Sequence, residues 1–200
     1  MRKNLRGRIM SITKNNNLLI IGAGQYGFVA LEIAQAMGRF NKIEFLDDSY
    51  KVPERAEGAT IIGTTRDIEK FAGEFHYGFV AISNPQIRRR LIEQLRYNCI
   101  TPAILVHPRA YVSPDAQLQM GCCVEPLATV QSGAVVATAS FVASGAIVKY
   151  NAFVGEFCRV DSNAVVESNA IVPAETNIGC NSVFCKEQGV CLADCNLGEA

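Results

Sequence analysis

An aliphatic or aromatic residue recurs every six positions through the second half of this 200-residue chain, without one slip. Most members of the series follow Ala, Cys or Ser placed two positions earlier. Six residues advance an α-helix by about 240° beyond one full turn, which would scatter the series around the helix. In an extended chain, an even spacing returns each side chain to the same face. The series therefore predicts extended segments, and its members are Val112, Leu118, Val124, Val130, Val136, Val142, Val148, Val154, Val160, Val166, Val172, Ile178, Phe184 and Val190.

A straight strand of about 80 residues does not fit in a globular protein, so the chain must bend at every hexad. Three flat sides per turn, about 18 residues, are the simplest closure, with the repeated residues facing inward. Residues suited to bends stand at positions 133, 145, 151, 155, 161, 163 and 169. We predict a parallel β-helix of hexapeptide repeats over residues 108–200, in which the degraded last repeats form a frayed end or a cap.

The first half has a different pattern, in which short apolar runs alternate with helical spacing. Strands are predicted at 18–24, 43–48, 59–63, 77–83 and 102–108, and helices at 28–37 and 85–97. This alternation predicts a small Rossmann-like parallel α/β domain over residues 18–107. Residues 1–17 form a basic leader without the apolar stretch of a secretion signal, so we expect a cytoplasmic protein with reduced cysteines.

The first strand runs into a GxGxxG turn formed by Gly22, Gly24 and Gly27. In dinucleotide-binding folds the first glycine makes the tight turn and the second lets a phosphate approach the backbone. The third glycine lets the helix and the strand pack closely, and the helix N-terminus attracts the phosphate. The turn therefore predicts a phosphate site, with a purely structural turn as the alternative.

Acidic and polar residues follow two of the predicted strands at the same sheet edge. Asp47 and Asp48 end the second strand, where an acid can reach a ribose hydroxyl. Ser83 and Asn84 follow the fourth strand and are further candidate contacts. Five strands are too few for the two halves of a nicotinamide-binding domain. We therefore expect a single nucleotide, such as a nucleotide-sugar, with a nicotinamide-binding protein as a remaining alternative.

Charge and composition narrow the function further. The net charge is zero, which argues against a general nucleic-acid binder, and no apolar run is long enough to span a membrane. Residues 1–100 carry 15 Lys and Arg against 10 Asp and Glu, whereas residues 101–200 carry 4 against 9. A basic front half suits an anionic ligand. The late cysteines have spacings that match no standard zinc site, so we predict no metal; they are Cys180, Cys185, Cys191 and Cys195.

Over nearly its whole length the chain resembles the NeuD/PglD-type bacterial sugar acyltransferases. The matching segments are IIGAGQYGFVALEIAQAMG (20–38), FLDD (45–48), VAISNPQIRRRL (80–91), VHPRAYVSPDAQL (106–118) and AFVGEFCRV (152–160). The resemblance implies a left-handed β-helix, a homotrimer, and a nucleotide-activated amino sugar held by the front domain. It also implies acetyl-CoA between neighbouring β-helices, with the acetyl group passed to a sugar amine or a sialic-acid hydroxyl.

The chain departs from this family at the catalytic positions. Tyr150 stands where the family has a histidine base, and Asn151 stands where it has the acid that orients the histidine. A tyrosine of ordinary pKa, about 10, is mostly protonated at pH 7 and is a poor base there. Ser168 falls where the family tends to keep a glycine near the thioester, so it is the candidate cofactor-binding residue.

Other groups that could replace the base are few. The two histidines, His76 and His107, are predicted to be structural, and Lys149 is an alternative base if it is desolvated. Two hypotheses follow: an acetyl-CoA-dependent sugar acyltransferase, or a non-catalytic relative that binds a nucleotide-sugar as scaffold or regulator. In either case, weakly charged coil faces favour burial against sister subunits; examples are Ala137, Ala139, Ala143 and Ser144.

Overall fold

The computed structural model describes residues 16–49, 55–56, 59–185 and 189–191, with the backbone alone at 55–56 and 189–191. Most of the predicted leader therefore lies outside the described residues, as does Cys195. The described chain forms an α/β unit followed by a left-handed parallel β-helix. Both predicted fold classes are confirmed.

The α/β part, called the front unit here, spans residues 17–102. Its strands are β1 (Asn17–Ile21), β2 (Lys42–Leu46), β3 (Arg55–Ala56), β4 (Ala59–Gly63), β5 (Tyr77–Val80) and β6 (Thr101–Pro102). Its helices are α1 (Gln25–Met37), α2 (Ile68–Phe71) and α3 (Pro85–Tyr97), and a 3-10 turn at Thr65–Asp67 precedes α2. The sheet order is β3-β4-β2-β1-β5-β6, parallel throughout except for the β3–β4 pair.

One predicted strand of the front unit is wrong. The apolar run at 102–108 is divided between two sheets: β6 pairs with β5, whereas Leu105–Val106 pairs with Cys123–Val124 of the β-helix. Spacing alone cannot show which sheet an apolar pair joins. Pairing typical of the β-helix thus begins at Leu105.

The central strand β1 separates two apolar layers. Leu18 and Ile20 pack with α1 and with the first coils of the β-helix. Leu19 and Ile21 pack with α2, α3 and the corners of later coils. All four side chains are fully buried, as expected of a parallel strand covered on both faces.

The β-helix consists of short strands at six-residue intervals, and each strand pairs with the strand 18 residues later, as predicted for a three-sided coil. The first face, called the docked face because it contacts the front unit, contains β7 (Leu105–Val106), β10 (Cys123–Val124), β13 (Phe141–Val142), β16 (Arg159–Val160) and β19 (Asn177–Ile178). The second face contains β8 (Tyr111–Val112), β11 (Thr129–Val130), β14 (Ile147–Val148), β17 (Val165–Val166), β20 (Val183–Cys185) and β21 (Gly189–Cys191). The third face contains β9 (Gln117–Leu118), β12 (Val135–Val136), β15 (Phe153–Val154) and β18 (Ile171–Val172).

The repeated residues fill the interior of the coil. Every member of the series from Val124 to Ile178 is fully buried, and so are the small residues that precede them. Cys122 is one of these small residues; burial raises the pKa of its thiol to about 12, and its Sγ donates to the Ala137 carbonyl at 3.0 Å. It therefore acts as a small core side chain, as predicted.

The corners use the left-handed backbone conformation, again every six residues from Gly121 to Asn181. Five of the predicted bend positions have positive φ: 133, 145, 151, 163 and 169. Gly155 and Asp161 do not have positive φ, but both lie in the links between strands, directly after β15 and β16. A side chain at Gly155 would meet the backbone of Val172 and Ala174 in the next coil, so close packing accounts for this glycine.

The parallel stack ends in a hairpin. β20 pairs antiparallel with β21, with Phe184 opposite Val190. The regular parallel coils therefore end with β20, and β21, which contains Val190, forms an antiparallel end to the stack where a frayed end or a cap was predicted.

The expected subunit-facing alanines are already covered within the chain. Ala137, Ala139 and Ala143 are each at most 2 % exposed, and Ala139 packs in the core of the front unit. The large apolar side chains of the described β-helix that remain exposed lie on the other two faces and at corners. Tyr111, Phe153 and Ile171 are on the faces, and Met120, Leu127 and Tyr150 are at the corners.

Candidate functional site

The front sheet changes direction between β1 and β5. From β1 the chain adds β2 and β4 on one side, and later β5 and β6 on the other. In open α/β sheets, such a switch point opens a crevice at the carboxyl ends of the strands, where ligands bind. A cleft of about 470 Å³, called the front cleft, opens here. Its lining residues are Gly22, Gly24, Gln25, Tyr26, Asp47, Asp48, Thr65, Ala81, Ile82, Ser83 and Arg159.

The three glycines of the turn have different roles. Gly22 has a φ of +102°, and a side chain there would press on the Ala81 carbonyl oxygen at 3.0 Å. A Cβ at Gly27 would overlap the Gly22 carbonyl oxygen, so this glycine allows α1 to approach β1 closely. A Cβ at Gly24 would meet nothing within 4 Å, since the residue borders the open cleft.

The N-terminus of α1 faces the front cleft, and no side chain of the described residues caps it. Gly24 is the N-cap and provides no side-chain cap, and the first turn contains no acidic residue. The first N–H groups of a helix have no partner within the helix and carry partial positive charge. The 13-residue helix thus offers backbone donors to an anion.

The two predicted ribose contacts, Asp47 and Asp48, already accept hydrogen bonds from other residues of the protein. Asp47 accepts a hydrogen bond from the Ala23 N–H at 2.7 Å and two more from Ser49. Burial raises its pKa, but the hydrogen bonds outweigh burial and hold the pKa below the usual value. Asp48 accepts from the N–H and hydroxyl of Thr65 through Oδ1. Asp47 therefore fixes the glycine turn, while Asp48 lies exposed at the rim.

The two predicted contacts after the fourth strand, Ser83 and Asn84, have different positions in the structure. Ser83 lines the front cleft. Pro85 is the first residue of α3, and Asn84 is its N-cap. The Asn84 side-chain oxygen accepts a hydrogen bond from the Ile87 N–H at 2.9 Å. The structure therefore brings Ser83 to the site and uses Asn84 to begin a helix beside it.

Sequence reasoning missed Arg159, which reaches the front cleft from the β-helix. Its guanidinium lies 5.3 Å from the centre of the Tyr26 ring, and Tyr26 stacks on Phe141 at 4.6 Å. It also donates to Asp161 at 3.2 Å. Burial lowers the pKa of Arg159, but Asp161 outweighs this effect and raises it, so the side chain is charged. A β-helix residue is thus part of the front site.

Arg88 joins the front unit to the β-helix and was also missed. It is 2 % exposed and donates to the carbonyls of Ile82 and Ser83 on one side. On the other side it donates to the carbonyls of Ala139 and Phe157, two corners of the coil. Because burial lowers its pKa only to about 10, Arg88 stays charged at neutral pH.

A second cavity of about 230 Å³ borders the front cleft and shares Ser83 and Arg159 with it. Its other lining residues are Pro85, Arg88, Phe141, Phe157, Glu175, Thr176 and Asn177. The two cavities meet at Arg159, so a ligand longer than a nucleoside could extend along the docked face.

The residues at the family's catalytic positions lie at the corner between the second and third faces. The Tyr150 side chain is 57 % exposed, and its N–H donates to Gln131. Asn151 has a φ of +55° and donates to the Asn169 side chain at 3.0 Å. Its observed role is to hold a bend and a ladder of corner asparagines. Ser168 is exposed one coil further along.

The other residues considered as bases, Lys149, His107 and His76, form contacts of their own. Lys149 forms an ion pair with Glu167 at 2.6 Å. His107 accepts the Arg109 N–H through Nδ1 at 3.1 Å, next to the docked face. The His76 carbonyl accepts the Thr101 N–H between β5 and β6. The side-chain contacts of Lys149 and His107 support structural roles for these two residues.

The front cleft and Tyr150 lie on opposite sides of the coil. The corner at Asn151 separates the second and third faces, and the docked face lies across the coil from it. Arg159, which lines the front cleft, follows Tyr150 by half of an 18-residue coil. One chain alone therefore does not bring the two regions together.

The part of the chain that the structure describes contains neither a metal-binding cluster nor a membrane-spanning helix. No group of three or more His, Cys, Asp or Glu side chains is placed to hold a metal ion. Among the same residues, no helix is long and apolar enough to cross a bilayer.

Comparisons with known proteins agree with this architecture. The family described as the PglD N-terminal domain matches residues 17–95. The acetyltransferase domain of PglB from Neisseria gonorrhoeae, solved in complex with acetyl coenzyme A, is 31% identical, with 83% of this chain and 89% of that chain covered and a TM-score of 0.70. PerB from Caulobacter crescentus, solved with CoA and GDP-perosamine, is 21% identical, with 85% and 89% covered and a TM-score of 0.69.

PerB shares the fold, but its sequence identity to this chain is low. A search of curated protein sequences found no match. The PglB domain carries the family assignment, because its 31% identity extends over most of both chains and includes both structural units. The match of residues 17–95 to the PglD N-terminal domain agrees with it. The chain belongs to the PglD/NeuD-type family of sugar acetyltransferases.

Proposed function

We propose that the protein transfers the acetyl group of acetyl-CoA to an amino group or hydroxyl of a nucleotide-activated or sialic-acid-like sugar. The observation that carries the proposal is the front cleft, in which a glycine turn, a helix N-terminus and a β-helix arginine share one cavity. Such a cavity suits a phosphate group between a nucleoside and a sugar. The acetyl coenzyme A in the PglB structure supports the choice of acyl donor.

The two domains have separate tasks in this proposal. Residues 18–107 hold the nucleotide-sugar with the help of Arg159, and residues 108–200 hold acetyl-CoA. Gly22 and Gly27 shape the turn, Gly24 leaves room for the phosphate, and Asp48 and Ser83 offer polar contacts at the rim. Asp47 acts through the turn that it fixes, and Asn84 acts through the start of α3.

In the transfer step, the sugar nitrogen or oxygen forms a bond to the acetyl carbon, the carbon–sulfur bond breaks, and the proton of the nucleophile ends on the released thiol or on water. When bound, acetyl-CoA supplies the acetyl group as a thioester. No hydrogen bond of the Ser168 N–H occurs among the described residues, so we assign it to the thioester carbonyl oxygen. Tyr150 would contact the nucleophile, but tyrosine is a weaker base than histidine at neutral pH.

The opposite positions of the front cleft and Tyr150 support an oligomer. A sugar held in the cleft of one chain can meet Tyr150 only if that Tyr150 belongs to a second copy. The exposed Phe153 and Ile171 on the third face and Tyr111 on the second provide apolar surface for such contacts. The resemblance implies three copies around an axis, so we propose a homotrimer with sites between subunits.

Calorimetric titration of acetyl-CoA into protein of measured molar mass tests this proposal. We expect a trimer by light scattering and binding in the micromolar range, because the cofactor would lie between neighbouring β-helices. Desulfo-CoA, which has the same nucleotide but no thiol, is a suitable control for the contribution of the sulfur end. A folded monomer, or a trimer that does not bind acetyl-CoA, would contradict the proposed acyltransferase.

Restoring the family's catalytic pair should increase transfer. We expect the double substitution Tyr150→His and Asn151→Asp to raise kcat for acetyl transfer about 100-fold, since a positioned general base contributes about 10²–10⁴-fold. Asp tolerates the left-handed corner conformation that Asn151 adopts. The rate is measured by release of the CoA thiol, with Asn151→Asp alone as the control. An unchanged rate with acetyl-CoA binding intact would mean that the base is not what limits the reaction.

A non-catalytic relative that binds a nucleotide-sugar is the second candidate. The observation in its favour is the corner itself, where Asn151 is hydrogen-bonded to Asn169 and carries no charge to orient a base. This candidate expects nucleotide binding in the front cleft without acetyl transfer by either the native chain or the double variant. The thiol-release assay therefore distinguishes the two candidates.

A further inference from the structure

The outward position of the docked face is occupied once per coil, and its chemistry changes along the stack. Leu105, Cys123 and Phe141 hold this position in the first three coils, and each is at most 1 % exposed within the core of the front unit. Arg159 holds it in the fourth coil, paired in register with Phe141. The change from apolar to charged coincides with the place where the docked face emerges into the front cleft.

Aromatic contacts hold the Arg159 guanidinium close to the start of α1. Tyr26 belongs to the first turn of this helix, and its ring lies against Phe141 at 4.6 Å and near the guanidinium carbon at 5.3 Å. Asp161 accepts one N–H of the guanidinium, which has five. The side chain is 32 % exposed, so its other donors are available to a ligand in the cleft.

The charges around the front cleft show why Arg159 matters for binding an anion. Among the described residues that line it are two acids, Asp47 and Asp48, and one cation, Arg159. A phosphate that enters the cleft is therefore repelled by two carboxylates and attracted by the N-terminus of α1 and by Arg159. The helix provides the donors for one phosphate at the glycine turn.

Arg159 also marks the way out of the front cleft. The second cavity begins there, shares Ser83 and Arg159 with the first, and runs along the docked face toward Glu175 and Asn177. In a nucleoside diphosphate linked to a sugar, the second phosphate lies between the first phosphate and the sugar. A ligand whose first phosphate sits at the glycine turn and whose sugar points to the second cavity would place its second phosphate beside Arg159.

We propose that Arg159 binds the sugar-bearing phosphate of a nucleoside diphosphate ligand, and thereby makes the protein selective for diphosphate-linked over monophosphate-linked sugars. The inference rests on the proposed nucleotide-sugar site and assigns the linkage that this site accepts. Monophosphates use the glycine turn alone. Diphosphates bind through both domains, because their second phosphate contacts the β-helix.

Calorimetry with UDP, GDP, UMP and GMP tests the assignment without any acetyl transfer. For whichever base binds, we expect the native protein to prefer the diphosphate by about 10- to 100-fold, as for hydrogen bonds to a charged group. Arg159→Met should remove this preference while the monophosphate affinity changes little. Arg159→Lys, which keeps the charge and loses the planar fork, should retain part of the preference.

Arg90→Met is the matched control, because it removes the same charge from the exposed face of α3 and should leave all affinities as they are. Equal loss of monophosphate and diphosphate affinity in Arg159→Met would overturn the assignment, since it would indicate damage to the cleft as a whole. A diphosphate preference that survives Arg159→Met would overturn it as well. If the native protein binds none of the four nucleotides, the proposed nucleotide site fails, and this inference fails with it.

Discussion

Arg88→Met should lower the free energy of unfolding by about 2–4 kcal/mol, because buried carbonyl oxygens lose their charged donor. Methionine fills a similar volume but provides no donors for the carbonyls of Ala139 and Phe157, and an unsatisfied buried acceptor costs about 1–3 kcal/mol. The cation–π contact with Phe141 at 4.5 Å is lost as well. Urea unfolding followed by circular dichroism measures the change.

The neighbouring residue provides a matched control. Arg89 lies on the same helix but forms exposed ion pairs with Glu156 and Glu175. Exposed pairs contribute about 0–1 kcal/mol, so Arg89→Met should cost far less than Arg88→Met. Equal costs for the two substitutions would mean that the four carbonyl contacts of Arg88 do not stabilise the junction between the two units.

Gly24→Asp should abolish nucleotide binding, with a loss of about 100-fold or more, while the fold remains intact. Gly24 has a φ of −80° and an extended ψ, which suit an aspartate N-cap. The new carboxylate would accept from the free N–H groups of the first turn of α1 and would repel phosphate from the same donors. We therefore expect unchanged or slightly higher thermal stability together with lost nucleotide affinity in calorimetry.

Two other glycine substitutions separate these effects. Gly24→Ala adds a Cβ that meets nothing within 4 Å, so it should weaken binding only mildly. Gly27→Ala should instead destabilise the front unit, because its Cβ would overlap the Gly22 carbonyl oxygen. If Gly24→Asp kept its nucleotide affinity, the phosphate would have to bind away from the start of α1.

The sequence predicted the β-helix well because its pattern is local and repeats at a fixed interval. The inward series and the 18-residue coil follow from side-chain direction alone, and they match the burial of Val124 to Ile178. The degraded last repeats predicted a frayed end or a cap, but not the antiparallel direction of β21, since an antiparallel hairpin can keep the same apolar spacing as another coil. The divided run at 102–108 was missed for a similar reason, because an apolar pattern does not specify its partner strand.

The site was predicted only where a motif describes it. The glycine turn has a known geometry, so its position and the closeness of α1 to β1 followed from spacing. Arg88 belongs to the run Arg88, Arg89 and Arg90, which resembles an ordinary solvated helix face. Arg159 resembles any outward coil residue. Their roles arise where two units meet, and the one available signal was the outward series of Leu105, Cys123 and Phe141, which precedes Arg159 at the same interval.

The coil limits how the length of the β-helix can change. Each strand spans six residues with its link, and each complete coil spans 18 residues. Removing six residues between Val142 and Val160 would keep every repeated aliphatic residue inside, because hexads are equivalent in the interior. The same deletion would move every later residue to a neighbouring face and would carry Arg159 away from the front unit. Only changes of 18 residues preserve both the interior and the faces. A chain of this design can therefore change length safely only in whole coils.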